Sequence, residues 1–192
     1  MIPQAIFLDR DGTINFDYGY LGDVSKVEIL DGVIDGMLKL KEKFPGIIFI
    51  VISNQAGIAR GLITLEQVRN VNSRIQQLLN EKGITVSKFY HCPFHPEFSS
   101  EEDSKCRKPS PEMLFEAAND FNLNLTNTYF IGDRHTDIES GLNAGTKTIL
   151  LKSEIYPDEA EILNNKNAAP DFIANNFLEA AEFIIGEANG GN

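Results

Sequence analysis

The sequence predicts a doubly wound, Rossmann-like α/β fold, in which a mostly parallel sheet carries helices on both faces. Short apolar runs alternate with helical patterns along the chain, as expected for parallel strands joined by right-handed crossovers. Several runs end in polar or acidic residues, and ligands of such sheets bind beyond the carboxyl ends of the strands. No repeat or composition break divides the 192 residues. We therefore predict one domain over residues 1–187 and a flexible tail over residues 188–192.

The first half of the chain contains three predicted strands and two predicted helices. Residues 5–8 form an apolar run too short for a helix, and residues 47–52 are continuously apolar, as in a strand buried on both faces. Between them, residues 33–43 carry apolar positions on one helical face and end before Pro45. Thr64 and Gln67 form a capping-box pattern for a helix to about residue 82. Residues 88–92 follow as the third strand.

The second half continues the alternation. Ser110 is a candidate N-cap, and Pro111 a candidate first residue, for a helix through residue 121. Residues 128–131 are the fourth predicted strand, followed by a short helix to residue 144 and a strand over residues 147–151. The remaining residues indicate a helix over 157–164, a strand over 171–174 and a helix over 177–185.

Composition and charge restrict the classes of partner. The formal net charge of −11 argues against non-specific binding to nucleic acid or to an anionic membrane. No apolar run approaches the roughly 20 residues of a membrane span, and the N-terminus shows no export signal. Cys92 and Cys106 are the two cysteines, which favours reduced thiols in the cytoplasm. We predict a cytoplasmic monomer without nucleic-acid or membrane partners.

An acidic pair follows the first strand directly. Asp9 and Asp11 come before a turn at Gly12 and Thr13. Two carboxylates at a strand end make an oxygen-rich pocket that suits Mg²⁺, and they allow one carboxylate to attack while the other carries a proton. An ordinary Asp-Gly turn has the same letters, so the interpretation depends on the residues at the ends of the other strands.

Polar clusters lie at comparable positions after the later strands. Each alone is consistent with turn chemistry, a solvated charge pair or a helix cap. Together, and in this order along the chain, they indicate a site for phosphoryl transfer. Their members are Ser53, Asn54, Arg107, Lys108, Asp133 and Asp137.

The residue types suggest roles in the hydrolysis of a phosphate ester. Asp9 attacks phosphorus, and Mg²⁺ held by Asp9, Asp133 and the backbone carbonyl of Asp11 neutralises the two anions that meet. Lys108 and the Ser53 hydroxyl stabilise the equatorial oxygens, where charge spreads in the transition state. Asp11 protonates the leaving group and then deprotonates the hydrolytic water.

Three further residues surround this centre in the interpretation. Asp137 lies one helical turn beyond Asp133, where we expect it to orient Lys108 or a metal-bound water rather than bind the metal. Arg107 and Arg134 are suited to a second anionic group, because the planar guanidinium pairs with phosphate oxygens through two hydrogen bonds.

The joint pattern D-x-D-G-T, strand-end Ser, Lys-Pro and G-D-x-x-x-D resembles that of the haloacid dehalogenase-like phosphatases. The stretches FLDRDGTIN, ISNQAGIARG, CRKPSPEML and IGDRHTD are similar to those of the D-glycero-D-manno-heptose 1,7-bisphosphate phosphatases and their histidinol-phosphate phosphatase relatives. The resemblance covers residues 2–152. It implies a Mg²⁺-dependent phosphomonoesterase that forms an aspartyl-phosphate and has no inserted cap domain.

The resemblance also implies a set of site residues. The catalytic residues are Asp9, Asp11, Ser53 and Lys108, and the magnesium ligands are Asp9, Asp11 and Asp133. The substrate pocket is lined by Asp17, Tyr18, Gly19, Tyr20, Asn54, Gln55, Ala56, Arg107 and Arg134. Because Arg107 and Arg134 favour a second phosphate, the preferred substrate is the heptose bisphosphate, with its 7-phosphate removed. Histidinol phosphate is the alternative.

One segment departs from the family pattern. The family often has a zinc-binding loop, C-x-H…C-x-C, before R-K-P, but here Phe94 and Ser104 replace a histidine and a cysteine. The ligands that remain are Cys92, Cys106 and one of His91 and His95. A closed tetrahedral site needs four good ligands, so we do not expect a structural zinc.

A phospho-accepting receiver module is the competing interpretation from a different class. It is also doubly wound and has clustered aspartates with a lysine. Its accepting aspartate lies on the third strand, whereas the acidic pair here follows the first. We therefore predict a phosphatase.

Overall fold

Strands and helices alternate along the chain as predicted. The computed structural model describes residues 2–190, which contain six parallel strands and six α-helices. The strands are β1 Ala5–Leu8, β2 Ile48–Asn54, β3 Val86–Cys92, β4 Thr128–Gly132, β5 Lys147–Leu151 and β6 Phe172–Ala174. The helices are α1 Val33–Lys43, α2 Leu65–Asn80, α3 Glu112–Phe121, α4 His135–Ala144, α5 Glu159–Asn165 and α6 Phe177–Gly190. The predicted doubly wound α/β fold is confirmed. Over these residues, no helix combines the length and the apolar character that crossing a membrane requires.

The sheet has the strand order β3-β2-β1-β4-β5-β6, and each neighbouring pair is parallel. The chain therefore moves outward from β1 to β3 and then returns to the other side of β1. Leu8 is in register with Val51 on β2 and with Ile131 on β4. The carboxyl ends of the three strands therefore lie at one edge of the sheet, where β2 continues to Asn54 and β4 to Gly132. Ligands of doubly wound sheets bind at such a reversal of strand order, which places the site beyond the end of β1.

The central strand is buried on both faces. Ile6 and Leu8 pack in a cluster with α1, α2 and α6, whereas Ala5 and Phe7 pack in a second cluster with α3. Helices α4 and α5 cover the same face as α3, next to β5. The four apolar residues of β1 have no solvent exposure, so the turn that follows is attached to a firmly packed element.

The connection between β1 and β2 contains a 3₁₀ helix, Val24–Lys26, and α1. These described residues leave no room for an inserted cap domain, as the resemblance implies. The cavity at the end of β1 is therefore bordered by loops of this domain.

Several element boundaries differ from the prediction, and two of the differences have a cause that the structure shows. Strand β3 begins at Val86, two residues early, next to a register irregularity opposite Phe49 and Ile50. Helix α6 reaches Gly190, so residues 188–190 of the predicted tail are helical, because Ala188 still packs against the core. Residues 191–192 lie outside the described part of the chain, and the single-domain boundary stays a prediction.

The expectation of two reduced thiols is wrong in this structure. Cys92 ends β3, Cys106 lies in the 3₁₀ helix Asp103–Cys106, and a disulfide joins them with 5.5 Å between their Cα atoms. The sequence did not show that the intervening segment returns to the end of β3. While the bond is present, neither sulfur can bind zinc as a thiolate, and the argument for the cytoplasm from free thiols is lost.

Candidate active site

The carboxyl ends of β1, β2 and β4 border one cavity of about 450 Å³. It contains each predicted catalytic residue, and each predicted substrate residue except Tyr18. The lining residues are Asp9, Asp11, Asp17, Gly19, Tyr20, Ser53, Asn54, Gln55, Ala56, Arg60, His95, Arg107, Lys108, Arg134, Thr136, Asp137 and Tyr156. Tyr18 is half exposed and donates a hydrogen bond to Glu28. Its ring packs against Phe16 in a tilted arrangement, with 4.7 Å between the ring centroids. It therefore lies outside the cavity.

Three buried carboxylates form an acidic centre at the bottom of the cavity. Asp9 and Asp137 line the cavity, whereas Asp133 lies next to them and is not a lining residue. One oxygen each from Asp9, Asp133 and Asp137 lie within 4.8 Å of one another. Both carboxylate oxygens of Asp133 are buried and have no hydrogen-bond partner among residues 2–190. A buried carboxylate without donors is unstable unless a cation compensates it. The donor set therefore fits a divalent cation, and its all-oxygen character suits Mg²⁺.

Burial shapes the titration of this centre. It raises the pKa of Asp9 to about 7, although the charge of Lys108 acts in the opposite direction. Burial, followed by the negative charges of Asp9 and Asp137, raises the pKa of Asp133 to about 9. A bound cation supplies the positive charge that favours the ionised form of both groups.

Two glycines allow the backbone to approach these carboxylates. Gly12 has a φ of +82°, and a Cβ atom there would lie 2.3 Å from Oδ2 of Asp133. A Cβ atom on Gly132 would lie 2.4 Å from the Cβ of Asp137. Both distances are shorter than any tolerable contact. Gly12 is therefore required for its positive φ as well as for packing, whereas Gly132, the last residue of β4, is required for packing alone.

Lys108 enters the acidic centre from the segment before α3. Its Nζ lies 2.7 Å from Asp9 and 2.6 Å from Asp137, and it donates to the carbonyl of Ile52 at 2.8 Å. Burial opposes the charge of Lys108, but Asp137 and Asp9 outweigh burial and raise its pKa. Asn54 holds the backbone of Lys108 through two hydrogen bonds of 3.0 and 3.1 Å. Asp137 thus contacts Lys108, one of the two arrangements expected for it.

Cationic side chains form the outer part of the cavity. NH1 of Arg107 is buried without a partner among the described residues, and burial lowers the pKa of Arg107. Arg134 stacks on the ring of Tyr156, with 3.5 Å from Cζ to the centroid, and pairs with the buried Glu159 at 2.8 Å. Tyr156 in turn donates to Asp17 at 3.0 Å. We call Arg60, Arg107 and Arg134 the cationic rim. His95 lies beside them, and burial together with the charges of Arg107 and Arg60 lowers its pKa, which favours the neutral ring.

The sequence interpretation missed several cavity residues. Arg60 belongs to the stretch ISNQAGIARG, which the sequence analysis quotes. Tyr156 follows the end of β5, so the rule that ligands bind beyond strand ends predicts Tyr156 as a site residue. His95 was considered as a zinc ligand and lines the cavity instead. Thr136 was not singled out, because a threonine in the first turn of a helix carries no specific signal.

Comparisons with known proteins agree with this geometry. A family model described as HAD-hydrolase-like matches residues 105–180. A D-glycero-β-D-manno-heptose-1,7-bisphosphate 7-phosphatase from Yersinia pestis is 37% identical over 185 residues, which cover 94% of each chain. The protein of the same name from Escherichia coli K12 is also 37% identical, over 94% of this chain and 93% of its own.

Solved structures show the same fold. A D,D-heptose 1,7-bisphosphate phosphatase from B. bronchiseptica, complexed with magnesium and phosphate, aligns with a TM-score of 0.81 at 22% identity, over 96% of this chain and 99% of its own. A putative HAD-like phosphatase from Mesorhizobium loti aligns with a TM-score of 0.72 at 33% identity, over 80% of this chain and 74% of its own. Sequence identity across nearly the whole chain and the shared fold lead to one conclusion. The protein is a phosphatase and belongs to the haloacid dehalogenase-like family that includes the heptose bisphosphate 7-phosphatases.

Proposed function

We propose that the protein removes the 7-phosphate of D-glycero-D-manno-heptose 1,7-bisphosphate in a Mg²⁺-dependent reaction. The observation that carries the proposal is a cavity with two unlike parts, the acidic centre at the end of β1 and the cationic rim. One phosphate fits the acidic centre, and the second fits the rim, where NH1 of Arg107 has no described partner. The names of the relatives support the same substrate.

Asp9 is the proposed nucleophile. A carboxylate oxygen of Asp9 forms a bond to phosphorus while the bond from phosphorus to the sugar oxygen breaks. Lys108, 2.7 Å from Asp9, offsets the charge that accumulates on the phosphoryl oxygens. The Ser53 oxygen accepts a hydrogen bond from Gln55, which leaves the hydroxyl hydrogen of Ser53 to donate to the phosphoryl group.

Asp11 is the proposed acid and base. It gives a proton to the departing sugar oxygen and then takes a proton from the water that attacks the aspartyl-phosphate. The bond between Asp9 and phosphorus breaks in the second step, so inorganic phosphate leaves, the Asp9 carboxylate is regenerated and Asp11 is again protonated. The positions of Asp9 and Asp11, both lining the cavity, support this division of roles.

Asp9, Asp133 and the backbone carbonyl of Asp11 are the proposed ligands of Mg²⁺. When bound, the ion neutralises the carboxylates and the transferring phosphoryl group. The unpartnered oxygens of Asp133 support this assignment. We propose no zinc site.

Histidinol phosphate fits the cavity less well. It carries a single phosphate and an amino group, and the cationic rim repels an ammonium. The receiver-type alternative is not favoured, because the Yersinia and Escherichia relatives are phosphatases. A monomeric state and a cytoplasmic location stay predictions.

A phosphate-release assay on both substrates, with Mg²⁺ or with a chelator, tests the proposal. We expect Mg²⁺-dependent release from the heptose bisphosphate, faster than from histidinol phosphate, and a product that keeps its 1-phosphate by ³¹P NMR. Asp9→Asn should abolish release while circular dichroism shows an intact fold. Faster hydrolysis of histidinol phosphate, or loss of the 1-phosphate, would contradict the substrate assignment.

A further inference from the structure

Arg10, between the two aspartates of the acidic pair, is a fully buried arginine that the proposed catalytic roles leave unused. Only 1% of its surface is exposed. A buried guanidinium is strongly destabilising unless its donors are paired. Its partners therefore indicate what the residue does.

The guanidinium of Arg10 holds both oxygens of Asp11. NH2 donates to Oδ2 at 2.7 Å, and Nε donates to Oδ1 and Oδ2 at 3.2 and 3.1 Å. NH1 donates to Asn72 on α2 at 3.0 Å, which anchors the other end of the group to a helix. The planar guanidinium of arginine makes these hydrogen bonds simultaneously, and the ammonium group of a lysine cannot reproduce them.

Gln55 completes the arrangement. Its Oε1 accepts from Arg10 at 3.1 Å, and its Nε2 donates to Asp11 at 3.0 Å and to Ser53 at 2.8 Å. The side chain is 4% exposed. Each polar atom of its amide is thus used within the protein, although the sequence interpretation placed Gln55 among the substrate ligands.

We propose that Arg10 and Gln55, together the Asp11 clamp, are positioning residues that fix the orientation of the Asp11 carboxylate. Neither residue touches the substrate in this proposal, which rests on the proposed role of Asp11 in proton transfer. Asp11 lies in the turn after β1, and 14% of its side chain is exposed. Asn15 also donates to Oδ1 of Asp11, at 2.9 Å, so without the clamp a single side chain would hold this carboxylate.

The clamp also links two groups that act on the same phosphoryl group. Gln55 bridges Asp11 after β1 and Ser53 at the end of β2. The backbone N–H of Gln55 donates to the carbonyl of Cys92 at 2.8 Å, which ties the bridge to β3. Asp11 is therefore oriented by three strand ends and by α2, an arrangement that reduces the cost of reaching the reactive geometry.

A double-mutant cycle between Arg10 and Asp11 tests the proposal. Arg10→Lys keeps the charge but loses the planar guanidinium, so it should lower kcat by about 10- to 100-fold and leave KM within about twofold. The same substitution in an Asp11→Asn background should lower kcat by less than about twofold, because the carboxylate it orients is gone. Arg74→Lys, the same change at a half-buried arginine of α2 outside the cavity, is the matched control, and kcat and KM should be unchanged.

Gln55→Leu keeps the test decisive if Arg10→Lys does not fold, because it removes no charge. Gln55→Leu should also lower kcat, and its KM should stay within about twofold of the wild-type KM. In the Asp11→Asn background, most of this reduction in kcat should disappear. A higher KM with unchanged kcat would make Gln55 a substrate ligand and overturn its positioning role. Equal losses in both backgrounds, or wild-type kcat in Arg10→Lys, would overturn the clamp.

The outcome is separable from that of the proposed function. The cycle is measured on heptose 1,7-bisphosphate and also on p-nitrophenyl phosphate, a general phosphomonoester. If the wild type hydrolysed only the second compound, the substrate proposal would fail, and the cycle on that compound would still decide whether Arg10 and Gln55 act through Asp11.

Discussion

Single residues create the contrast between the two parts of the cavity. In the acidic centre, Asp9 and Asp137 share Lys108, while Asp133 has no described donor. In the rim, Arg134 is already paired with Glu159, while NH1 of Arg107 is not paired with any described residue. In the centre, three carboxylates thus face a single lysine, and in the rim one guanidinium nitrogen has no acceptor among the described residues. A magnesium ion and a second phosphate would meet these two needs.

Arg107→Gln tests the need for an anion in the rim. We expect KM for the bisphosphate to rise by about 10- to 100-fold, since a hydrogen bond to a charged group contributes about 1.5–3 kcal/mol. KM for the same sugar with the 7-phosphate alone should change much less. Steady-state kinetics on both compounds measure the ratio of the KM for the 7-phosphate alone to the KM for the bisphosphate. Lys105→Gln, which removes an exposed cation paired with Glu102, should leave it unaltered, and equal effects of Arg107→Gln on both compounds would contradict the second-phosphate site.

How far the sequence predicts a residue's position depends on what determines that position. Asp9 and Asp133 follow buried strands, and Ser53 is the penultimate residue of β2, so the strand-end rule predicts that they lie at one edge of the sheet. Arg10 also follows a strand, but its direction depends on Asn72, 62 residues further on. That contact exists only after α2 packs on the sheet. No local pattern contains this information.

At the scale of elements, the strands were easier to predict than the connection from β3 to α3. Buried parallel strands have continuous apolar runs, which the sequence shows directly. The connection has few apolar residues, and its course is determined by the disulfide and by Arg60, which contacts His95, Glu97 and Phe98. These contacts join segments distant in sequence. The prediction of free thiols was wrong for this reason.

Cys106→Ser tests how much the disulfide stabilises this connection. The bond spans 14 residues, and closing a loop of this length in the unfolded chain contributes about 3 kcal/mol. We expect the free energy of unfolding in urea to fall by a similar amount, and the wild type in reductant to match the variant. Thiol labelling of the denatured wild type without reductant supplies the independent check. Two labelled thiols, or equal stability of variant and wild type, would contradict the bond.

For the whole molecule, the negative net charge opposes the binding of an anionic substrate in the cavity. The chain has a formal net charge of −11, yet it must attract a phosphorylated substrate. Screening limits the long-range repulsion to about 8 Å at physiological salt, so the cationic rim dominates near the entrance. Composition alone argues against non-specific binding to nucleic acid, but it could not locate this rim, because its members come from separate loops.

The acidic centre should make the stability of the whole protein depend jointly on pH and Mg²⁺. In the metal-free protein, the pKa values of about 7 for Asp9 and about 9 for Asp133 lie above their ordinary value. The folded state therefore binds these protons more tightly than the unfolded chain, and the stabilisation they provide is lost as the pH rises through about 7 and then about 9. Mg²⁺ competes with the same protons. The rise in Tm on adding Mg²⁺ should therefore be larger near pH 9 than below pH 7, the two pKa values of the metal-free protein.

Differential scanning fluorimetry with and without Mg²⁺ across this pH range measures the rise in Tm. Asp133→Asn should remove most of the pH dependence of this rise. Because groups elsewhere in the chain contribute equally with and without the ion, an increment that stayed constant or shrank with rising pH would show that these two carboxylates do not bind the metal.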